Sequence, residues 1–254
     1  LTKAAGELIH IKTPAELDVM RRAGKIVAAL LKLMAGETKA GVTTKRLDEI
    51  AEAYIRSQGA EPAFKGYCGY TASICASVNE QVVHGIPGPR ALRDGDIVGI
   101  DVGVKLEGFY SDAARTFAIG GIDDESRRLI ETTRRAMELG IEKAVEGNRL
   151  SDISSAVQVH AEARGFSVVR QYVGHGIGTS LHEEPQVPNF GKPGEGPKLV
   201  EGMALAIEPM LNAGSYEVRV LPDGWTVVTK DGRRSAHFEQ TVFVGKRKPE
   251  VVTE

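Results

Sequence analysis

The chain is short of cysteine, of aromatic residues and of any excess of one charge sign, and each shortage removes a class of function. Only two cysteines, Cys68 and Cys75, occur in 254 residues. A pair spaced in this way is neither a disulfide framework nor a CxxC zinc or redox motif, so a reducing compartment is expected. Lys plus Arg number 32 against 34 Asp plus Glu, which leaves no broad basic field to hold phosphates and no expectation of a nucleic-acid partner. Long apolar runs are also missing. The most apolar helical stretch, Ile26 to Ala35, is broken by Lys32 and falls short of the roughly 20 apolar residues that cross a bilayer. Leu1 to Thr13 carries scattered charge and nothing resembling a signal-peptide core. A cytoplasmic enzyme with no membrane partner is the expectation. Nucleotide and nucleophile motifs are absent as well: Gly174-x-Gly176-x-Gly178 lacks the spaced third glycine of the dinucleotide fingerprint, and there is neither a Walker motif nor a Gly-x-Ser-x-Gly elbow.

What is present is a pattern that occurs twice. Thr13, Pro14 and Glu16 form a capping box with proline at the first helical position, predicting a helix that ends near Gly36. A second helix is predicted from about Thr43, with Leu47, Ile50, Ala51, Tyr54 and Ile55 on one face, stopping at Gly59. Ile97 to Val104 and Phe109 to Ala118 read as an antiparallel hairpin around Leu106-Glu107-Gly108. Then a long helix from about Asp124 to Ala144 and another from Ser151 to Arg164 repeat the first pair. Eighteen residues separate Gly41 from Gly59, and the same number separate Gly147 from Gly165. Val83-His84-Gly85-Ile86 echoes Gly174-His175-Gly176-Ile177, and Ile100-Asp101 echoes Ile207-Glu208 at an offset of 107. A fainter match, which needs a gap, sets Asp112 beside Glu239. A pseudo-twofold axis would make these four acids converge. A turn centred between Leu106 and Glu107 would also place Asp101 and Asp112 directly opposite one another. Burying such a pair is costly without a cation, and a bound dication removes that cost.

Each residue has a plain alternative. A hairpin aspartate is often a surface residue, but Asp101 sits inside Ile97-Val98-Gly99-Ile100-Asp101-Val102-Gly103-Val104 and Glu208 inside Ala204-Leu205-Ala206-Ile207-Glu208-Pro209, where an unpaired carboxylate would be expensive. Asp112 and Glu239 alone would more often be surface residues or helix caps; their pairing with the first two raises them. His175, among three glycines that permit close approach, reads as a ligand. His182 falls in the stretch inserted in the second half. His84 is nearly balanced between a core histidine and a functional one, and for His10, His160 and His237 the structural role is expected.

The segments VVHGIPG, GIDVGV, YSDAARTF, GHGIG, LHEEP, AIEPM and FEQT, in that order, resemble the type I methionine aminopeptidases of the pita-bread fold over about Thr13 to Gly245. The resemblance implies an α+β fold with two pseudo-symmetric αα-β halves around a central antiparallel sheet. It implies a single catalytic domain, 13–245, with pseudo-repeats at about 13–120 and 121–245, flanked by an N-terminal segment 1–12 and a C-terminal tail 246–254. Asp101, Asp112, His175, Glu208 and Glu239 would hold two divalent metal ions, with Asp112 and Glu239 bridging. The ions would be cobalt, manganese, iron or zinc, since one histidine among oxygen donors suits each of them.

In that family a water or hydroxide shared by the two ions attacks the first peptide carbonyl. Glu208 would shuttle the proton, His182 would stabilise the oxyanion, and His84 would steer the scissile amide nitrogen. Tyr67, Tyr70, Cys75, Leu181 and Trp225 map onto the methionine pocket; Leu181 stands where many relatives carry phenylalanine, which implies a wider or softer pocket. Asn79 and Ser235 resemble positions beside a monovalent cation. The implied substrates are N-terminal methionine peptides and nascent chains with a small second residue, met near the ribosome by a monomer. The family's N-terminal zinc-binding extension is not expected here. The nearest rival is a prolidase or aminopeptidase P of the same fold, which usually carries a separate N-terminal domain. A binding protein that has kept the fold but lost its metal is the other alternative, and all five ligand positions weigh against it.

Overall fold

Thr13 starts the first helix in the way its neighbours require. Its hydroxyl accepts from Glu16 N, the Glu16 carboxylate takes the Thr13 N–H, and Pro14 fills the first helical position, where a missing N–H costs nothing. The computed structural model describes residues 9–254, and in it this helix, α1, spans Pro14–Glu37. Met20, Ala23, Val27, Leu30, Leu31 and Met34 recur at three- and four-residue steps and are all buried, the single apolar stripe of a helix lying on a sheet. Helix α2 (Thr44–Ser57) follows, capped by the Thr43 hydroxyl. Next come β1 (Glu61–Pro62), β2 (Ile74–Val78), β3 (Gln81–Val83) and the hairpin β4 (Ile97–Leu106) with β5 (Phe109–Ala118).

The second half begins again with α3 (Asp124–Ile141) and α4 (Leu150–Glu162). It continues through β6 (Ser167–Val168), β7 (Gly174–Gly176), β8 (Glu183–Val187), β9 (Ala204–Ile207) and β10 (Met210–Asn212). The remaining strands are β11 (Val218–Val220), β12 (Val227–Thr229), β13 (Ser235–His237), β14 (Gln240–Phe243) and β15 (Glu250–Val251). The repeat extends to backbone conformation: Gly41 and Gly147, ahead of α2 and α4, have φ of +88° and +91°, and Gly59 and Gly165, behind them, +71° and +83°.

Strand β4 pairs antiparallel with β2 on one edge and β5 on the other, and β9 pairs in the same way with β7 and β14. The halves join where Ala114 and Glu239 exchange backbone hydrogen bonds of 3.3 and 2.9 Å. On either side of that joint a threonine hydroxyl replaces a backbone partner. Thr116 Oγ1 donates to His237 O and accepts from His237 N, at 2.8 and 2.9 Å. Thr241 Oγ1 lies 2.8 Å from Asp112 O and accepts from Asp112 N at 3.0 Å. Buried backbone groups at the joint are thereby satisfied. Ile100, Val102 and Val104 turn into the core beneath α1 and α2, while Leu205, Ile207 and Val242 turn into the core beneath α3 and α4. Strand alternation sends the acids between them to the opposite face of the sheet.

Four expectations need correction. The hairpin turns on Glu107 and Gly108, at φ +49° and +87°, the two-residue loop that the twist of an antiparallel pair favours. This puts Asp101 opposite Ala114 and Asp112 opposite Gly103, so the two aspartates are diagonal neighbours. The slip is even, and they still share a face. The fainter echo also fails: with Asp101 equivalent to Glu208, the registers of β4–β5 and β9–β14 make Asp112 equivalent to His237 and Ala114 to Glu239. The matching threonine bonds obey the same equivalence. Nor do His84 and His175 correspond, because His175 lies on β7, which pairs with β9 as β2 does with β4, whereas His84 follows β3. Finally, residues 246–254 are no detached tail. Val242 and Phe243 pair with Val251 and Glu250, and Thr253 is buried with its hydroxyl accepting from Thr241 N at 3.0 Å. Of the expected N-terminal segment, residues 1–8 lie outside the described residues.

Candidate metal centre and methionine pocket

The face opposite the helices opens into a cavity of about 260 Å³ whose lining includes Asp101, Asp112, His175, Glu208 and Glu239 together with Tyr67, Tyr70, Cys75, His84, Leu181, His182 and Trp225. Every residue expected to bind a divalent ion, shape the pocket or act in catalysis is therefore in one place. Asn79 and Ser235 are not. They are neighbours, with Ser235 N donating to Asn79 O at 2.9 Å. The Asn79 carboxamide is taken up by Asp96 Oδ1 at 2.7 Å and Ile97 N at 3.0 Å.

His175 reaches the acids because its neighbours have no side chains. A Cβ on Gly174 would stand 2.3 Å from Ala206 O, and one on Gly176 2.2 Å from Glu184 O, so only glycine lets β7 lie this close to β9 and β8. The His175 Nδ1–H donates to Gly176 O at 2.9 Å, which leaves Nε2 with its lone pair facing the cavity. That Nε2 lies 3.6 Å from Asp112 Oδ2 and 3.4 Å from Glu208 Oε1. One donor atom each from Asp112, His175 and Glu239 falls within 4.8 Å of the others.

Electrostatics favour a positive charge at this site. Asp101 Oδ1 is buried and has no hydrogen-bond partner among the described residues. Burial, and then the charge of Asp112, drive the Asp101 carboxyl well above the usual range. Burial, followed by Asp112 and Asp101, does the same to Glu208, and burial with the other three acids does so to Glu239. Burial lifts Asp112 to about 6 against the opposing pull of His182 and Thr241. Burial lowers His175 to about 4, keeping the imidazole neutral and able to ligate. Four carboxylates and one neutral imidazole, oxygen-rich and borderline in softness, form a donor set for first-row divalent ions. The residues present fit a metal centre.

The walls are apolar and aromatic. Tyr70 is buried, donates toward Ile74 O and Gly85 O at 3.1 Å each, and meets Trp225 edge-on with ring centroids 5.0 Å apart. Cys75 is buried opposite Asp101 across β2–β4. Strand β12 pairs with β3, which brings Trp225 beside His84, with ring centroids 6.2 Å apart; Tyr172 lies on another side of His84 at 5.6 Å. At the mouth, Tyr67 Oη is 2.7 Å from His182 Nδ1, and the His182 ring stands 4.3 Å from that of His175.

Three residues were missed by the sequence reading. Phe64 and Cys68 also line the cavity, and His237 places Nε2 3.8 Å from Glu208 Oε2, with no hydrogen-bond partner for that nitrogen among the described residues. Burial, and then His84, lower His237 to about 3. Strand alternation from Glu239 would have flagged His237, because residues two apart share a face; Phe64 sits in irregular chain and Cys68 in the 3-10 turn Tyr67–Gly69, neither with such a signal.

Comparison with known proteins agrees with this geometry. Residues 18–246 match the model of metallopeptidase family M24. The chain is 56% identical over 246 residues to a methionine aminopeptidase of Clostridium perfringens, covering 97% of this chain and 99% of that protein. It is 52% identical to methionine aminopeptidase 1 of Bacillus subtilis, with the same coverage of both. The crystal structure of a methionine aminopeptidase from Rickettsia prowazekii superposes with a TM-score of 0.96 at 43% identity, over 97% of this chain and 100% of that one. With its α+β pita-bread fold and buried Asp/His/Glu cluster, the chain belongs to metallopeptidase family M24, as one of its methionine aminopeptidases.

Proposed function

We propose that this aminopeptidase takes methionine from peptides and nascent chains whose second residue is small, and that Asp101, Asp112, His175, Glu208 and Glu239 hold two divalent ions, Asp112 and Glu239 being shared between them. One observation carries the reading: a single cavity is lined both by four carboxylates and a lone-pair-bearing imidazole and by Tyr70, Cys75, Leu181 and Trp225. Two dications balance four carboxylates; one would leave like charges buried together. Bound ions supply Lewis acidity, which acidifies water, polarises the first peptide carbonyl and anchors a free amine.

The chain's own groups do the rest. Glu208 takes a proton from the attacking water and returns it to the departing nitrogen. With Tyr67 Oη donating across its 2.7 Å contact to His182 Nδ1, the His182 proton would sit on Nε2, available to the developing oxyanion. His84, held between Tyr172 and Trp225, orients the scissile amide. Tyr67, Tyr70, Cys75, Leu181 and Trp225 receive the methionine side chain, whose thioether packs well on aromatic edges. Asn79 O, already accepting from Ser235 N, keeps a second lone pair for a monovalent cation. We assign manganese, cobalt, iron or zinc as the divalent ions and two repeats, about 13–120 and 121–245, as the framework of the catalytic unit. Two unpaired cysteines support a cytoplasmic setting, where a monomer would meet chains emerging from the ribosome. No helix among the described residues is long and apolar enough to cross a membrane.

The test is a peptide series with metal-loaded protein. Met-Ala-Ser should release methionine, Met-Leu-Ser should release far less, and an Ala-Pro peptide none. Preference for the Ala-Pro peptide would replace this reading with a prolidase-type one.

A further inference from the structure

Lys12 lies outside the segment to which the sequence reading confined the catalytic unit, yet its side chain is 1% exposed. Its ammonium has two acceptors, His10 O at 3.1 Å and Glu183 Oε2 at 2.6 Å, and its backbone N–H is fixed on Gly202 O at 2.9 Å. The other oxygen of Glu183 takes Ser180 N at 3.1 Å and Thr179 Oγ1 at 3.2 Å. A Cβ on Gly178 would meet Lys12 Cε at 2.5 Å and Glu183 Oε1 at 2.6 Å, so only a glycine there leaves room for the pair. Gly178 O in turn accepts from Tyr110 N on β5 at 2.8 Å. The loop from Gly178 to Glu183 is thus closed on itself behind, and its other side supplies Leu181 and His182 to the cavity.

A buried ion pair contributes little net stability against an apolar replacement, because desolvation offsets the attraction. What it does supply is a fixed geometry. We propose that Lys12 is a positioning residue for methionine removal: through Glu183 it sets the loop that presents Leu181 to the substrate side chain and His182 to the scissile carbonyl. The proposal rests on the reading of His182 given above.

The test uses the metal-loaded full chain and compares Lys12→Met, Lys12→Arg and Glu183→Gln for kcat, KM, metal content and thermal midpoint. Displacing a catalytic group by a fraction of an ångström should lower kcat by about tenfold or more in Lys12→Met and Glu183→Gln, with metal content unchanged and Lys12→Arg recovering most of the rate. In a His182→Ala background the Lys12→Met change should cost less than about twofold, since coupled residues do not add. Equal losses in both backgrounds would overturn the proposal. Full turnover in His182→Ala alone would instead overturn the catalytic reading of His182. Leu181 then judges the loop independently: methionine-over-norleucine discrimination should relax in Lys12→Met, and unchanged discrimination would also overturn the positioning role. If Lys12→Met does not fold, Glu183→Gln, which retains the side-chain shape, answers the same questions.

Discussion

Thr241 Oγ1 stands 3.0 Å from Asp112 Oδ1 and at the same distance accepts the Asp112 backbone N–H, so one hydroxyl from the second half fixes both the strand and the carboxylate of the first. Thr241→Val keeps the shape and removes the oxygen. The buried Asp112 N–H would lose its partner, at about 1–3 kcal/mol of stability, and metal affinity should fall by about 10–100-fold, as for other groups that orient a ligand. Denaturant unfolding and metal titration check the two effects, with Thr241→Ser expected to recover both.

Asp112→Asn and Glu239→Gln should each abolish turnover, because each removes a charge shared by both ions. Analysis of bound metal should show fewer ions per chain in each variant. Near-normal methionine release from either, with metal supplied, would contradict the two-ion assignment.

His84→Ala should behave differently. His84 is placed by the rings of Tyr172 and Trp225, and it is not among the acids and imidazole that converge on the centre. The expected result is a fall in kcat of about 10²-fold, the order expected when a substrate-orienting group is lost, with metal content largely retained. Loss of metal would make His84 part of the centre.

Tyr67→Phe isolates the hydrogen bond to His182 Nδ1. Without it the imidazole loses the group that selects its tautomer. Removal of one oriented donor at a developing oxyanion typically costs about 10²-fold, and a partial loss through the tautomer should be smaller, near tenfold, with KM for the methionine side chain little changed. A rise in KM alone would confine Tyr67 to the pocket wall.

The acids also set a pH dependence for metal uptake. Burial raises Asp101, Glu208 and Glu239 well above the ordinary range and Asp112 to about 6. The metal-free centre therefore holds protons more readily than ordinary carboxylates do, and an ion must displace them. Bound metal favours the deprotonated acids, so affinity should rise with pH and fall as the acids protonate. Calorimetry in two buffers of different ionisation enthalpy should detect proton release, and a binding heat independent of buffer would contradict it.

Much of this was legible in the chain because local chemistry spoke for itself. Thr13 and Thr43 cap helices with their own hydroxyls, and Gly59 and Gly165 take up the left-handed conformation that ends them. Asp101 and Glu208 stood out as charges inside apolar runs. What failed was register. The turn lay half a residue pair further along than expected, and nothing local distinguishes a centre at Leu106-Glu107 from one at Glu107-Gly108 except the backbone those residues adopt. His237 lies two residues from Glu239 on a strand of only three residues, and its approach to Glu208 appears only in the fold. The small sheet β11–β12–β3 was invisible, since its strands are each three residues long and too short to show a period. Lys12 was assigned to a flanking segment because its acceptor, Glu183, is 171 residues away.

The central claim is that this cavity removes methionine only when loaded with metal. Chelator-stripped protein, shown to be folded, should release no methionine from Met-Ala-Ser, and separate addition of manganese, cobalt, iron or zinc should restore release with at least one of them. Undiminished release after stripping, or none with any ion, would contradict it.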